Sequence, residues 1–333
     1  MKTRTFGADG PALSMIGLGC MGMSDFYGPS DRQESIATIH AAVDAGITLL
    51  DTGDFYGSGH NEMLIAEALK TIPRDKVFIA VKFGALRDPD GGFVGFDASP
   101  AAVRNFLAMS LRRLGTDYID LYQPARVTPA VPIEDTVGAI KDMVQAGYVR
   151  HIGLSEAGSQ TVRKANAVHR IASLQIEYSL LSRSIETGIL ATCRELGITL
   201  NAYGVLSRGL LSGHWKTDRL SQDKPDFRSH LPRFSGENAN RNLALVDALR
   251  PIAESKSCTV AQLALAWVLA QGDDILPLIG ARSRQRLSES LGALSISLDA
   301  DDLQAIDRLV PQDAVAGDRY AADQMAMLDS EGG

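Results

Sequence analysis

A closed (β/α)8 barrel is the architecture this sequence predicts, and three observations lead there. Short apolar runs alternate with amphipathic helical stretches along the chain. Eight such runs occur, with a helix-bearing segment between every pair, which implies right-handed βαβ units and a parallel sheet. No low-complexity linker divides the 333 residues, which favours a single barrel domain over 1–333 rather than an open doubly wound sheet. Such a barrel takes about 250 residues and leaves roughly 80 for insertions.

In order, the expected strands are Ser14–Gly17, Thr48–Asp51, Val77–Lys82, Tyr118–Tyr122, Ile152–Ser155, Leu174–Glu177, Thr199–Tyr203 and Ile275–Leu278. Among the helices, Asp31 with Glu34 reads as an N-cap and its N3 carboxylate, ahead of Ile36, Ile39 and Val43. Ser99-Pro100 is a cap plus N1 proline, followed by Val103, Leu107, Leu111 and Leu114 on one face. Pro132 opens a helix that ends near Gly147, and Gly197 stops one carrying Ile189, Cys193 and Leu196. The stretch 212–240, rich in Gly, Pro, Ser and charge, reads as a long βα loop on the active-site face, either a surface loop or a lid.

Composition narrows the function classes. A net charge of −7 supplies no global basic field for nucleic acid or anionic lipid. Cys20, Cys193 and Cys258 are far apart without metal spacing, and read as buried thiols in a reducing compartment. The apolar stretch Pro11–Met23 is broken by Gly17, Gly19 and Gly22, so neither a signal peptide nor a membrane span is expected, and the cytoplasm is. Gly17-Leu-Gly-Cys-Met-Gly22 fits G-x-G-x-x-G after a strand. That motif needs a helix opening at its third glycine, and turn residues follow here until about Asp31, so a Rossmann site is set aside.

Asp51, Tyr56 and Lys82 carry the chemistry. Asp51 and Lys82 end adjacent strands and Tyr56 lies in the loop after Asp51, so a barrel brings all three to one mouth. A lysine ammonium near a phenol is expected to lower its pKa, with Asp51 orienting Lys82, and such a phenol can protonate a carbonyl oxygen.

The segment Asp51-Thr-Gly-Asp-Phe-Tyr-Gly-Ser-Gly-His-Asn-Glu62 resembles the signature of the aldo-keto reductase superfamily, with Lys82 in the matching Val-Lys-Phe-Gly. The resemblance continues through Arg112–Tyr122, Gly153-Leu-Ser155, Gln175-Ile-Glu-Tyr178, the run from Tyr203 to Leu211, and Gly280–Glu289. It implies a metal-free barrel enzyme using NADPH to reduce an aldehyde or ketone, reversibly, with Asp51, Tyr56 and Lys82 catalytic. Ser155 and Gln175 would then hold the nicotinamide carboxamide, and Tyr203 would stack on the ring. Gly204, Leu206, Ser207, Arg208, Gly209 and Leu211 would pass over the pyrophosphate, and Gly280, Arg282, Arg286 and Glu289 would take the adenosine end. The guanidinium forks of Arg282 and Arg286 suit a 2′-phosphate, hence NADPH over NADH.

Three positions depart from the family pattern. Glu156 stands where Asn is usual after Ser155, and Ser290 where Asn is common. Ala125 stands where the family's fourth catalytic residue, a histidine, belongs. An alanine cannot orient a carbonyl; either Tyr56 and Lys82 suffice, with room for a bulkier substrate, or a neighbour such as Gln123, Arg126 or an ordered water substitutes, or the chain is a cofactor-binding regulatory or redox-sensing subunit with little turnover. His60 is expected to pack its loop. Met23, Phe26, Tyr27, Phe83 and Ala125, with the 212–240 loop, are the expected substrate pocket for a small carbonyl compound.

Overall fold

The computed structural model describes residues 1–24, 26–215 and 226–332. Eight parallel strands close a barrel: β3 (Gly17–Gly19), β4 (Leu49–Gly53), β5 (Phe78–Phe83), β8 (Ile119–Pro124), β9 (Val149–Ser155), β10 (Ile171–Glu177), β11 (Thr199–Tyr203) and β12 (Ile275–Gly280). Two antiparallel hairpins lie outside it: β1 (Thr3–Thr5) with β2 (Ala12–Ser14), and β6 (Ala85–Arg87) with β7 (Phe93–Phe96). The first barrel strand begins at Gly17 rather than Ser14, because Ser14 pairs back to Thr3 in the N-terminal hairpin.

Helices occupy the crossovers: α1 (Arg32–Asp44), α2 (His60–Ala68), α3 (Pro100–Leu114), α4 (Ile133–Gln145), α5 (Ser159–Val168) and α6 (Ile189–Leu196). α7 (Gly236–Ala248), α8 (Arg250–Ser255) and α9 (Val260–Ala270) lie between β11 and β12, and α10 (Arg284–Gly292), α11 (Ala300–Leu309) and α12 (Ala322–Met325) follow. Local chemistry sets their ends. Asp31 and Ser99 accept the N3 amides of α1 and α3, while Gly115 and Gly197 end α3 and α6 in left-handed backbone. Glu34 does not complete a capping box; its carboxylate instead takes the backbone amide and guanidinium of Arg284. Part of the expected 212–240 loop is helical, since α7 starts at Gly236, and 216–225 lie outside the described residues.

Strand alternation sorts the barrel interior into layers. At the floor, Phe6 packs edge-on to Phe78 at 5.0 Å, and His151 stacks on Phe78 at 5.9 Å. Above them lie buried Leu49, Ala80, Leu121, Leu276 and Leu278. The upper layer turns polar, with Lys82 in register with Gly53 and Gln123, and Gln175 in register with Ser155 and Asn201. Gly153 belongs there for want of room: a Cβ would stand 2.7 Å from Gln123 Oε1. The apolar layers below and the helices outside form the core, leaving chemistry only at the carboxyl ends of the strands.

Candidate active site

Asp51 and Lys82 point inward from neighbouring strands, and both are almost wholly buried. Lys82 Nζ donates to Asp51 Oδ1 at 2.7 Å and to the Thr52 carbonyl at 2.9 Å. Asp51 Oδ2 accepts from Gln175 Nε2 at 2.6 Å, so this glutamine is committed to the carboxylate rather than pointing free at the mouth.

Tyr56 follows β4 in a tight turn whose next three residues, Gly57, Ser58 and Gly59, all have positive φ. At Gly59 the glycine is also a packing requirement, because a Cβ would lie 2.7 Å from Arg113 Cδ. The turn lays the Tyr56 ring 5.1 Å from Lys82 Nζ. The expectation that Lys82 lowers this phenol's pKa is corrected here. Burial, then the charge of Asp51, pushes it well above the usual tyrosine value, and the Lys82 ammonium, shared with Asp51 and Thr52, does not outweigh them. Tyr56 is therefore a protonated phenol at neutral pH.

The rest of the signature supports this turn. Asn61 is fully buried, accepts from Thr52 Oγ1 at 2.6 Å and donates to the Cys20 carbonyl at 2.9 Å. His60 bridges Ser24 Oγ at 2.9 Å and Arg32 at 3.4 Å, a loop-packing arrangement. Glu62 pairs with Arg113. Beside it Asp54 is buried, and desolvation together with the Glu62 charge pushes its carboxyl up to about 8.

Two expected pocket residues are elsewhere. Phe83 follows inward Lys82 and so faces outward, fully buried and stacked on Tyr122 at 4.3 Å. Met23 is likewise buried in the core. At the mouth, Phe26 stands edge-on to Tyr56 at 6.1 Å and to Phe227 at 5.6 Å, and Phe227 lies 6.4 Å from Tyr320. Tyr27 sits beneath the Arg228 guanidinium at 5.0 Å. Ala125 continues the inward row of β8, its amide donating to the Phe83 carbonyl at 2.8 Å, and only a methyl group stands there.

The residues placed at the cofactor end are distributed around the same rim. Ser155 is buried at the end of β9. Gly204, Ser207, Arg208 and Gly209 have positive φ, so the Leu206–Leu211 loop winds tightly, with the Ser207, Gly209 and Leu211 amides bonded to carbonyls of the same turn. Arg208 itself turns inward to Glu177 at 3.2 Å. Gly280 is exposed with no atom within 4 Å of where a side chain would begin. Arg282 donates to the Tyr27 carbonyl at 2.9 Å, while Arg286 and Glu289 pair with each other at 2.7 Å on exposed α10.

The arrangement least visible in the sequence centres on Glu156. Its carboxylate accepts from Arg319 at 2.9 and 2.5 Å, from Tyr203 Oη at 2.7 Å and from Ser330 Oγ at 2.8 Å. It is saturated by these donors. Burial alone would raise this carboxyl, but Arg319 holds it at about 2. Through Arg319 the C-terminal segment is strapped across the mouth, with Asp329 accepting from the Gly158 amide at 2.7 Å. The strap delivers Tyr320, whose hydroxyl lies 2.9 Å from that of Tyr203. The unusual Glu156 was the one signal in the sequence; nothing marked Arg319 or Tyr320.

Comparison with known proteins agrees with this geometry. The aldo/keto reductase family model matches residues 15–311. A probable aldo-keto reductase 1 of Glycine max is 43% identical over 317 residues, covering 94% of this chain and 90% of the relative. Among solved structures, the glycerol dehydrogenase of Gluconobacter oxydans superposes with a TM-score of 0.85 at 30% identity, covering 94% of this chain and 97% of that one. An aldo/keto reductase of Klebsiella pneumoniae, solved in complex with NADP and acetate, gives 0.72 at 27% identity over 96% and 99%. A family match over most of the length, on an eight-stranded parallel barrel, places this chain in the aldo/keto reductase family of oxidoreductases.

Proposed function

We propose that this protein reduces an aldehyde or ketone to the alcohol with NADPH, Tyr56 being the proton donor. The observation that carries the reading is the buried Asp51–Lys82 pair beneath a protonated Tyr56 phenol at the mouth of the barrel. The polar rim fits the cofactor. Ser155 and the Tyr203 ring suit the nicotinamide end, the tight turn at 204–211 suits a close pass by the phosphates, and open Gly280 admits a close approach. Arg286 is exposed and exchanges Glu289 for a 2′-phosphate by a side-chain rotation. NADPH, when bound, supplies the hydride that reaches the carbonyl carbon.

The chain's own part is positional and protic. Tyr56 donates from Oη to the carbonyl oxygen as negative charge develops there. Lys82, 5.1 Å from the ring, supplies the positive field that stabilises the resulting phenolate. Asp51, held by Gln175, keeps Lys82 charged and aimed. Phe26 and Phe227 form an apolar wall at the mouth.

Ala125 favours a second reading, a cofactor-binding regulatory subunit with little turnover. Purified protein with a panel of aldehydes and ketones separates the two. NADPH oxidation on part of the panel supports the reductase, whereas tight NADPH binding with an inert panel supports the regulatory subunit. Arg286→Ala is expected to weaken NADPH by about tenfold or more and NADH far less; equal losses would remove the 2′-phosphate from this position.

A further inference from the structure

Most arginines around the mouth have a carboxylate partner. Glu177 takes Arg208 at 3.2 Å, Arg233 at 3.5 Å and Arg319 at 3.7 Å, and Glu156 takes Arg319. Arg228 has Asp226. Arg126 differs from these. Its one hydrogen bond goes to the Ala125 carbonyl at 2.7 Å, and no carboxylate pairs with it among the described residues. The Glu156 charge reaches this half-buried guanidinium, but that carboxylate is already bonded to Arg319, Tyr203 and Ser330 and makes no hydrogen bond to Arg126. Partial burial of such a cation is costly unless something anionic completes it.

Its position says what that something does. Arg126 directly follows Ala125 at the end of β8, beside the position the family gives to its carbonyl-orienting histidine. The guanidinium is held between two rings, 5.8 Å from Phe96 of the β6–β7 hairpin and 5.9 Å from Tyr320 of the strap. Held through these ring faces, it keeps most of its N–H donors uncommitted. The Tyr56 phenol is near enough to feel its charge, as is the Tyr320 phenol, which burial would raise but Arg208 and Arg126 pull below its ordinary value. Between Tyr56 and Tyr320 run Phe26 and Phe227, so a flat apolar body bound over Tyr56 has rings on its flank and one open guanidinium at its end.

We propose that Arg126 is a specificity residue that selects carbonyl substrates bearing a carboxylate on a flat, aromatic body, using the room left by Ala125. The proposal rests on the reductase reading and names the substrate class of that site. A carboxylate accepts two parallel N–H bonds from a guanidinium, which fixes the carbonyl end over Tyr56 Oη and replaces by substrate anchoring the orientation that Ala125 does not provide.

The test uses matched pairs, 3- and 4-carboxybenzaldehyde against their methyl esters, with NADPH. The expected kcat/KM for the better acid exceeds that for its ester by about tenfold or more, and the advantage shrinks with added salt. Arg126→Gln collapses the acid-to-ester ratio towards one, with the loss mainly in KM for the acid, and Arg126→Lys restores part of it. A wild-type ratio at or below one, or a ratio that survives Arg126→Gln, overturns the proposal while leaving the reductase reading in place. A second measurement does not depend on turnover: 4-(hydroxymethyl)benzoate and its methyl ester are titrated into the protein with NADP+ and binding is followed by calorimetry. Selective binding of the acid, abolished by Arg126→Gln, supports the anion site even if no aldehyde is reduced; equal binding of both refutes it.

Discussion

Among the buried ion pairs at the barrel mouth, Asp51–Lys82 and Glu156–Arg319 do different work. Asp51–Lys82 joins residues on adjacent strands, with partners 31 apart in sequence. Glu156–Arg319 joins the end of β9 to a C-terminal strap 163 residues later. Both carboxylates are further hydrogen-bonded, Asp51 by Gln175 and Glu156 by Tyr203 and Ser330. Both cations face phenols, Lys82 that of Tyr56 and Arg319 those of Tyr203 and Tyr320, but only Arg319 also holds a distant segment of chain in place. A buried ion pair therefore announces a polar site, and what its remaining surroundings contain decides whether that site performs chemistry or anchoring.

Breaking the pairs one at a time sharpens this contrast. Lys82→Met is expected to have the largest effect, lowering kcat by about 10²-fold or more, because Tyr56 loses its positive neighbour and Asp51 becomes an uncompensated buried charge. A variant keeping near-full turnover would place the pair in the anchoring class. Arg319→Met leaves Glu156 buried without its cation, at a cost of about 3–5 kcal/mol. That cost falls on docking of the strap, so limited proteolysis within 311–332 is expected to accelerate while the barrel keeps its circular dichroism. An unchanged digestion pattern would show the strap held by other contacts.

The third effect is smaller and depends on pH. Asp54, next to the turn that carries Tyr56, titrates at about 8 in the folded chain against an ordinary value of 3.8. The folded state thus binds the proton more tightly than the unfolded chain. This contribution is fully present below pH 3.8 and is lost as pH rises through about 8. Asp54→Asn should raise the Tm at pH 8.5 by several degrees relative to wild type and much less at pH 5, a difference of a few kcal/mol in order of magnitude. Equal shifts at both pH values would assign the effect to packing.

The same contrast explains what the sequence disclosed. The barrel is legible because period-two strands and capped helices recur, and Asp51, Tyr56 and Lys82 are legible because one compact signature and the next strand end contain them. Phe83 and Met23 read as pocket residues by proximity alone; alternation along β5 turns Phe83 away from the interior, and Met23 falls into the core. Proximity of Lys82 likewise suggested a depressed phenol pKa, but the sign depends on burial and on the carboxylate that claims the ammonium. Arg319 and Tyr320 lie in a tail with no repeating pattern, and only tertiary folding brings them to Glu156 and Tyr203. Where a site is assembled by local segments its residues can be read; where it is assembled by a distant strap, an unexpected residue such as Glu156 is the sole trace.

The central claim is that Tyr56 delivers the proton. The direct measurement compares Tyr56→Phe with wild type on any carbonyl compound the wild type reduces, with NADPH affinity determined on the same samples by fluorescence titration. The expected result is a fall in kcat of about 10²–10⁴-fold with NADPH affinity preserved. Turnover within about tenfold of wild type would contradict the account, since removing one hydroxyl would then have removed less than a general acid contributes.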